Sequence, residues 1–111
     1  MQITREMTDV VVLAVPGPSL DASNTKNFKS EMAPVVNAEN RLVFDMRGVQ
    51  FVDSSGLGAI LSCLRQLNAK GGDIKVFGLS KGVRALFELV RMHKVVEIHN
   101  TKEEALAAFS A

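Results

Sequence analysis

Residues 41–78 read RLVFDMRGVQFVDSSGLGAILSCLRQLNAKGGDIKVFG. The run Arg41-Leu42-Val43-Phe44-Asp45-Met46 is apolar enough for a strand and ends at Arg47-Gly48. Leu57, Ile60, Leu61, Leu64 and Leu67 then recur at i, i+3, i+4, i+7 and i+10, the stripe of an amphipathic helix. Gly71-Gly72 suits a left-handed helix C-cap. A strand over 73–78 follows, with Ile74, Val76 and Gly78 alternating against Asp73, Lys75 and Phe77. Strand, helix and strand in that order require a crossover, and crossovers join parallel strands. The fold class is therefore α/β.

Reading outward toward the N-terminus, residues 3–7 predict a short first strand that turns at Thr8-Asp9. Residues 10–15, Val-Val-Val-Leu-Ala-Val, predict a buried strand paired with it as a hairpin. Pro16-Gly17-Pro18 breaks that strand. A helix begins near Asp21 or Ser23, either of which suits a cap, and Phe28, Met32 and Val36 give it a core face. Pro34 lacks an N–H and presses on the carbonyl of Ser30, so a kink or early end is expected there. Toward the C-terminus, Ser80 suits the cap of a third helix with a stripe of Val83, Leu86, Phe87 and Val90. Residues 95–98 predict the last strand. Thr101-Lys102-Glu103-Glu104 is a capping box opening a final helix with Leu106 and Phe109 inward. The order is β-β-α-β-α-β-α-β-α, a small mixed, largely parallel sheet with about four packed helices.

Composition narrows the function. The chain has 111 residues, 47% hydrophobic and 23% charged, the proportions of one globular domain spanning residues 1–111. Thirteen basic and twelve acidic residues leave a formal charge of +1, which gives no electrostatic case for binding nucleic acid or an anionic membrane. One cysteine makes no internal disulfide, Met1 to Glu6 carry no signal-peptide core, and no apolar run nears the ~20 residues of a membrane span. A cytoplasmic protein is expected.

Few enzymatic chemistries remain. His93, His99 and Cys63 lack metal-ligand spacing, so the histidines read as surface residues and Cys63 as a small core hydrophobe. Gly56-Leu57-Gly58 lacks the third glycine of a dinucleotide fingerprint and the Lys-Ser/Thr of a P-loop. Val52-Asp53 before Ser54 rules out the G-x-S-x-G elbow of a serine hydrolase. No enzyme activity, metal or cofactor is expected. What stands out is Asp53-Ser54-Ser55-Gly56, where a strand's carboxyl end enters a helix, the usual place for ligands and partners in open α/β sheets. Two readings fit it. Ser54 or Ser55 caps the helix while Gly56 and Gly58 allow close packing. Alternatively, a hydroxyl there accepts a phosphoryl group, which the helix N-terminus tolerates and which adds about −1.5 to −2 charge.

Phe51-Val52-Asp53-Ser54-Ser55-Gly56-Leu57-Gly58-Ala59-Ile60 resembles the signature of the STAS domain (sulfate transporter and anti-sigma factor antagonist). Gly71-Gly72-Asp73-Ile74-Lys75-Val76, residues 80–83, Leu86-Phe87 and Lys94-Val95-Val96 resemble its later elements. The nearest branch is the stand-alone bacterial anti-sigma factor antagonists. That resemblance implies the STAS fold and a partner switch. The unphosphorylated chain binds a serine-kinase anti-sigma factor with a histidine-kinase-type ATPase fold and frees its client; phosphorylation ends binding; a metal-dependent serine phosphatase resets the cycle. It makes Ser54 the phosphoacceptor. It places Asp21, Asp53, Ser54, Ser55, Gly56, Leu57 and Gly58 at the partner surface, with Leu61 at its flank and Asp53 either orienting Ser54 or capping the helix. The free chain is expected to be a monomer. Pro16-Gly17-Pro18, Pro34 and Lys81-Gly82 depart from the family's usual loops. A scaffold STAS domain within a transporter or signalling assembly, without a phosphate cycle, is the alternative. Nucleotide binding is a third reading, which no basic residue beside Ser54 supports: Arg47 and Arg65 are the nearest in sequence.

Overall fold

The computed structural model describes residues 2–7 and 9–110, so the expected turn at Thr8 lies outside the described residues. The β-branched run after it becomes a central strand because both of its faces are covered. The elements are β1 (Gln2–Met7), β2 (Val10–Ala14), β3 (Ser19–Leu20), α1 (Thr25–Ala38), β4 (Arg41–Asp45), β5 (Phe51–Val52), α2 (Ser54–Asn68), β6 (Asp73–Phe77), α3 (Lys81–Leu89), a 3-10 turn at Met92–Lys94, β7 (Glu97–His99) and α4 (Lys102–Ser110). β1 pairs antiparallel with β2, while β2, β4, β6 and β7 pair parallel in a five-stranded sheet ordered β1-β2-β4-β6-β7. The opening hairpin and the parallel crossovers are as the sequence predicts.

The alternation within each strand sends side chains to two cores. Leu13, Leu42, Phe44, Ile74 and Val76 join Phe28, Met32, Ile60, Leu64 and Phe87 from α1, α2 and α3 in the larger one. Val10, Val12, Val43 and Phe77 meet Ala105, with Leu106 and Phe109 packed against them, in a smaller core under α4. Lys75 points the same way. It is buried, bonded to Glu97 at 2.8 Å and Asp73 at 3.4 Å, and its ammonium lies 4.6 Å from the centre of the Phe109 ring.

Several local readings change. Pro34 does not end α1, which runs four residues beyond it. Pro34 and Ser30 are both solvent-exposed, so water can satisfy the carbonyl that loses its partner. Neither Asp21 nor Ser23 caps α1; Asn24 precedes the helix, and the Asp21 carbonyl accepts from the N–H groups of Asn24 and Thr25 at 3.1 and 3.0 Å. The buried face of α2 is Gly56, Ala59, Ile60, Cys63, Leu64 and Leu67, which leaves Leu57 and Leu61 only half-buried at its edge. Val90 falls past the end of α3 and is exposed, and the last strand starts at Glu97 because the 3-10 turn takes up the residues before it. The capping box holds, with Thr101 Oγ1 accepting from Glu104 N–H at 3.1 Å and Glu104 Oε1 from Thr101 N–H at 3.3 Å.

A second, two-stranded sheet has no counterpart in the sequence reading. β3 pairs parallel with β5, setting Leu20 opposite Val52. Each strand is two residues long, too short for periodicity to announce. Their pairing draws the chain before α1 against the chain before α2.

Candidate functional site at the start of the second helix

The site is built on that small sheet. Gln50 and Phe51 donate backbone N–H bonds to the Pro18 carbonyl at 2.7 and 3.2 Å, and Asp53 donates to the Leu20 carbonyl at 3.3 Å. Asp53 is extended (φ −106°, ψ −173°), the usual geometry of an N-cap. One of its carboxylate oxygens accepts from Gly56 N–H at 2.9 Å, capping α2; the other accepts from Ala22 N–H at 3.1 Å. A single side chain thus fixes the helix start and ties it to the loop that carries Asp21.

That loop is itself internally bonded. The Asp21 carboxylate accepts from the backbone N–H of Ser23 at 2.9 Å and from its hydroxyl. The Ser23 hydroxyl, then the backbone bond, hold the Asp21 carboxyl below the usual carboxylate range. Asn24 donates its side-chain amide to the Ser19 carbonyl at 2.7 Å and accepts from Asp21 N–H at 2.9 Å.

Gly56 explains why the two segments come so close. A Cβ at this buried position would sit 2.2 Å from the Leu20 carbonyl oxygen and 2.9 Å from Val52 Cγ1. No side chain larger than hydrogen fits while the β3–β5 pairing stands. Gly58 is different: it is exposed, and a Cβ there would meet nothing within 4 Å. Its lack of a side chain keeps the surface beside Ser54 flat without serving the packing.

With Asp53 as the cap, Ser54 and Ser55 are the first two residues of α2, both exposed. The expectation that Ser54 or Ser55 caps the helix is corrected: the aspartate preceding them does so. Both hydroxyls are left outside the cap, at the positive end of a helix dipole. Of the residues singled out in sequence, Asp21, Asp53, Ser54 and Ser55 converge here, Leu57 lies half-buried at the rim, Gly58 continues the exposed face, and Gly56 is the packing point underneath. Arg47 is not part of the site. It is committed to Asp45 through bonds of 3.0 and 2.8 Å and lies 5.3 Å over the Phe77 ring.

Two features escape sequence inspection. The backbone of Ala22 is one, since nothing marks it as the partner of Asp53. The other is Phe51, 56% exposed three residues before Ser54, next to an open groove of about 300 Å³ lined by Gln50, Val52, Gly82, Val83 and Leu86. Elsewhere, burial pushes the Cys63 thiol up to about 11, which keeps it protonated inside the core. Among the described residues no three His, Cys, Asp or Glu side chains are grouped to hold a metal ion, and no helix is long and apolar enough to cross a membrane.

A mixed sheet of this topology, with an aspartate-capped helix presenting serine beside a bonded loop, defines a class of small α/β domains. The family model of the STAS domain matches residues 2–105, and the chain belongs to that family. The anti-sigma F factor antagonist of Paenibacillus polymyxa is 27% identical to it over 108 residues, covering 96% of this chain and 92% of that protein. The anti-sigma-B factor antagonist of Listeria monocytogenes is 28% identical over 106 residues, covering 94% and 91%. The fold superimposes on SpoIIAA, an anti-sigma factor antagonist solved in its unphosphorylated form, with a TM-score of 0.81 at 23% identity, covering 98% of this chain and 95% of that one. The same protein in its phosphorylated form gives 0.73 at 23% identity, covering 97% of each chain.

Proposed function

We propose that this chain is an anti-sigma factor antagonist that works by partner switching, with Ser54 as its phosphoacceptor. The observation that carries the reading is the division of labour at the start of α2: Asp53 supplies the cap, and Ser54 is exposed at the first helical position. In the unphosphorylated state the surface formed by Asp21, Asp53, Ser54, Ser55, Leu57 and Gly58 binds a serine-kinase anti-sigma factor, which then lets go of its client. The kinase transfers a phosphoryl group to the Ser54 hydroxyl.

The phosphate adds about −1.5 to −2 charge beside the Asp21 and Asp53 carboxylates. Returning to the same complex would bury that charge among like charges, which costs several kcal/mol on the order seen for unpaired interface charge. Nothing in the fold has to move, because the cap belongs to Asp53. A metal-dependent serine phosphatase restores the hydroxyl. The chain itself performs no catalysis in this scheme, works in the cytoplasm, and is a monomer between encounters. The names of its relatives and the fold shared with SpoIIAA support this reading.

The test is phosphate mapping. The chain is incubated with ATP and the kinase recovered on it, then digested and read by mass spectrometry. Phosphate on Ser54, absent from Ser54→Ala, is the expected result. Phosphate on Ser55 or Ser23, with Ser54 unmodified, would overturn the assignment.

A further inference from the structure

The large apolar side chains left exposed among the described residues are Ile3, Phe51, Leu89, Val90 and Val95, and three of these fall within residues 89–95. Scattered exposed apolar residues are normal, whereas a cluster calls for a reason. Leu89 ends α3 at 79% exposure, and Val90 and Val95 are about half exposed. Buried Met92 and Val96 anchor the segment from beneath. Bonds from Lys94 N–H to the Arg91 carbonyl (3.1 Å) and from Val95 N–H to the Met92 carbonyl (3.0 Å) hold it as a defined knob.

Its charge has one sign. Arg91, His93 and Lys94 are exposed on the turn, and no carboxylate lies between residues 89 and 95. The acidic residues on either side are engaged: Glu88 pairs with Arg84 at 3.6 Å, and Glu97 with Lys75 at 2.8 Å and His99 at 3.0 Å. The dipole at the end of α3 accounts for cations there but not for the bare apolar side chains among them. Arg91 also sits in the left-handed region (φ 64°), where glycine would be at ease. Solubility, charge balance and backbone preference are all set aside at the same turn.

Topology separates this knob from Ser54. β4 and β6 run parallel; α2 starts past the carboxyl ends of the strands, and residues 90–96, with the 3-10 turn among them, lead from the end of α3 into the start of β7. Ser54 is therefore at the carboxyl edge of the sheet and residues 89–95 at its amino edge. β4 and β6 are each five residues long, so at ~3.3 Å per residue roughly 15 Å of sheet lies between the two edges, beyond the ~8–10 Å over which charges in physiological salt sense one another.

We propose that residues 89–95 form a second docking surface, for a partner protein that presents an apolar cleft rimmed with carboxylates, and that it is used whatever the phosphorylation state of Ser54. Leu89, Val90 and Val95 enter the cleft while Arg91 and Lys94 meet its rim. A membrane is the poorer match. Three apolar side chains and two cations, Arg91 and Lys94, give little insertion, and the remainder of a chain of formal charge +1 adds no attraction to anionic lipid.

The test places p-benzoylphenylalanine at position Leu89 of the full chain in its source cells, with position Thr4 on the far edge strand as control, followed by photolysis and mass spectrometry. The expected result is one protein adduct specific to position 89. It maps to a carboxylate-rich segment, persists in Ser54→Asp and disappears in the Arg91→Glu/Lys94→Glu double variant. With that protein purified, Leu89→Asp weakens binding at least tenfold. Arg91→Gly raises the thermal midpoint while lowering affinity, a combination that a purely structural role for Arg91 does not produce. Lipid adducts, the same adducts at both positions, no adduct, an adduct lost in Ser54→Asp, or one indifferent to the charge reversal would each overturn the proposal.

Discussion

The second and third helices both open on a serine, but the hydroxyls have different fates. At α3, Ser80 is the cap itself, and its Oγ accepts from Val83 N–H at 3.2 Å. At α2, Asp53 takes the capping position, and Ser54 moves one place into the helix with its hydroxyl in solvent. One serine is consumed by the fold and the other is relieved of it. A residue that is to be modified and restored repeatedly belongs at the second kind of position, because the helix does not depend on its hydroxyl.

The comparison can be broken most severely beneath the site. Gly56→Ala drives a Cβ to within 2.2 Å of the Leu20 carbonyl oxygen and should cost about 3 kcal/mol, enough to separate the β3–β5 pair from the core. Urea unfolding measures this, and Gly58→Ala, with open space at the same helix end, serves as the control that stays folded. Asp53→Ala comes next. It removes the cap and the bond from Ala22 N–H together, for about 2 kcal/mol.

The direct contrast between the two serines is smaller. Ser80→Ala should lower stability by about 1 kcal/mol, and Ser54→Ala by less than about 0.5 kcal/mol, in the same denaturation experiment. Equal losses at the two positions would erase the distinction. The smallest effect is on pH dependence. Hydrogen bonds from Arg47 hold the Asp45 carboxyl low, as those from Lys75 hold Glu97 low. Groups with a folded pKa below the unfolded value contribute stability above the unfolded pKa and lose it as pH falls through the folded one. The unfolding midpoint should therefore be level above pH ~5 and decline below pH ~4, less steeply in Asp45→Asn.

Much of the fold is legible in the sequence because its strands and helices are long and apolar in a regular period. Leu57 to Leu67 announce α2, Thr101 and Glu104 announce α4, and the valines at 10–12 announce the first central strand. Pro34 misleads because a proline's cost depends on whether its orphaned carbonyl meets water, which periodicity does not report. The candidate site is half legible. Asp53-Ser54-Ser55-Gly56 is visible, but which residue caps is decided by a hydrogen bond, and the link to the Asp21 loop runs through the backbone of Ala22. β3 and β5, the two-residue strands that bring those segments together, are too short for any pattern to mark.

The central claim, that the hydroxyl of Ser54 is free to act as a switch, is tested most directly by a paired capture from source lysate on Ser54→Ala and Ser54→Asp baits. Both baits should fold alike, since Asp53 caps α2 in each. A small ATP-binding serine kinase enriched on Ser54→Ala and lost from Ser54→Asp is the predicted result. The same partner retained equally by both baits would contradict the account.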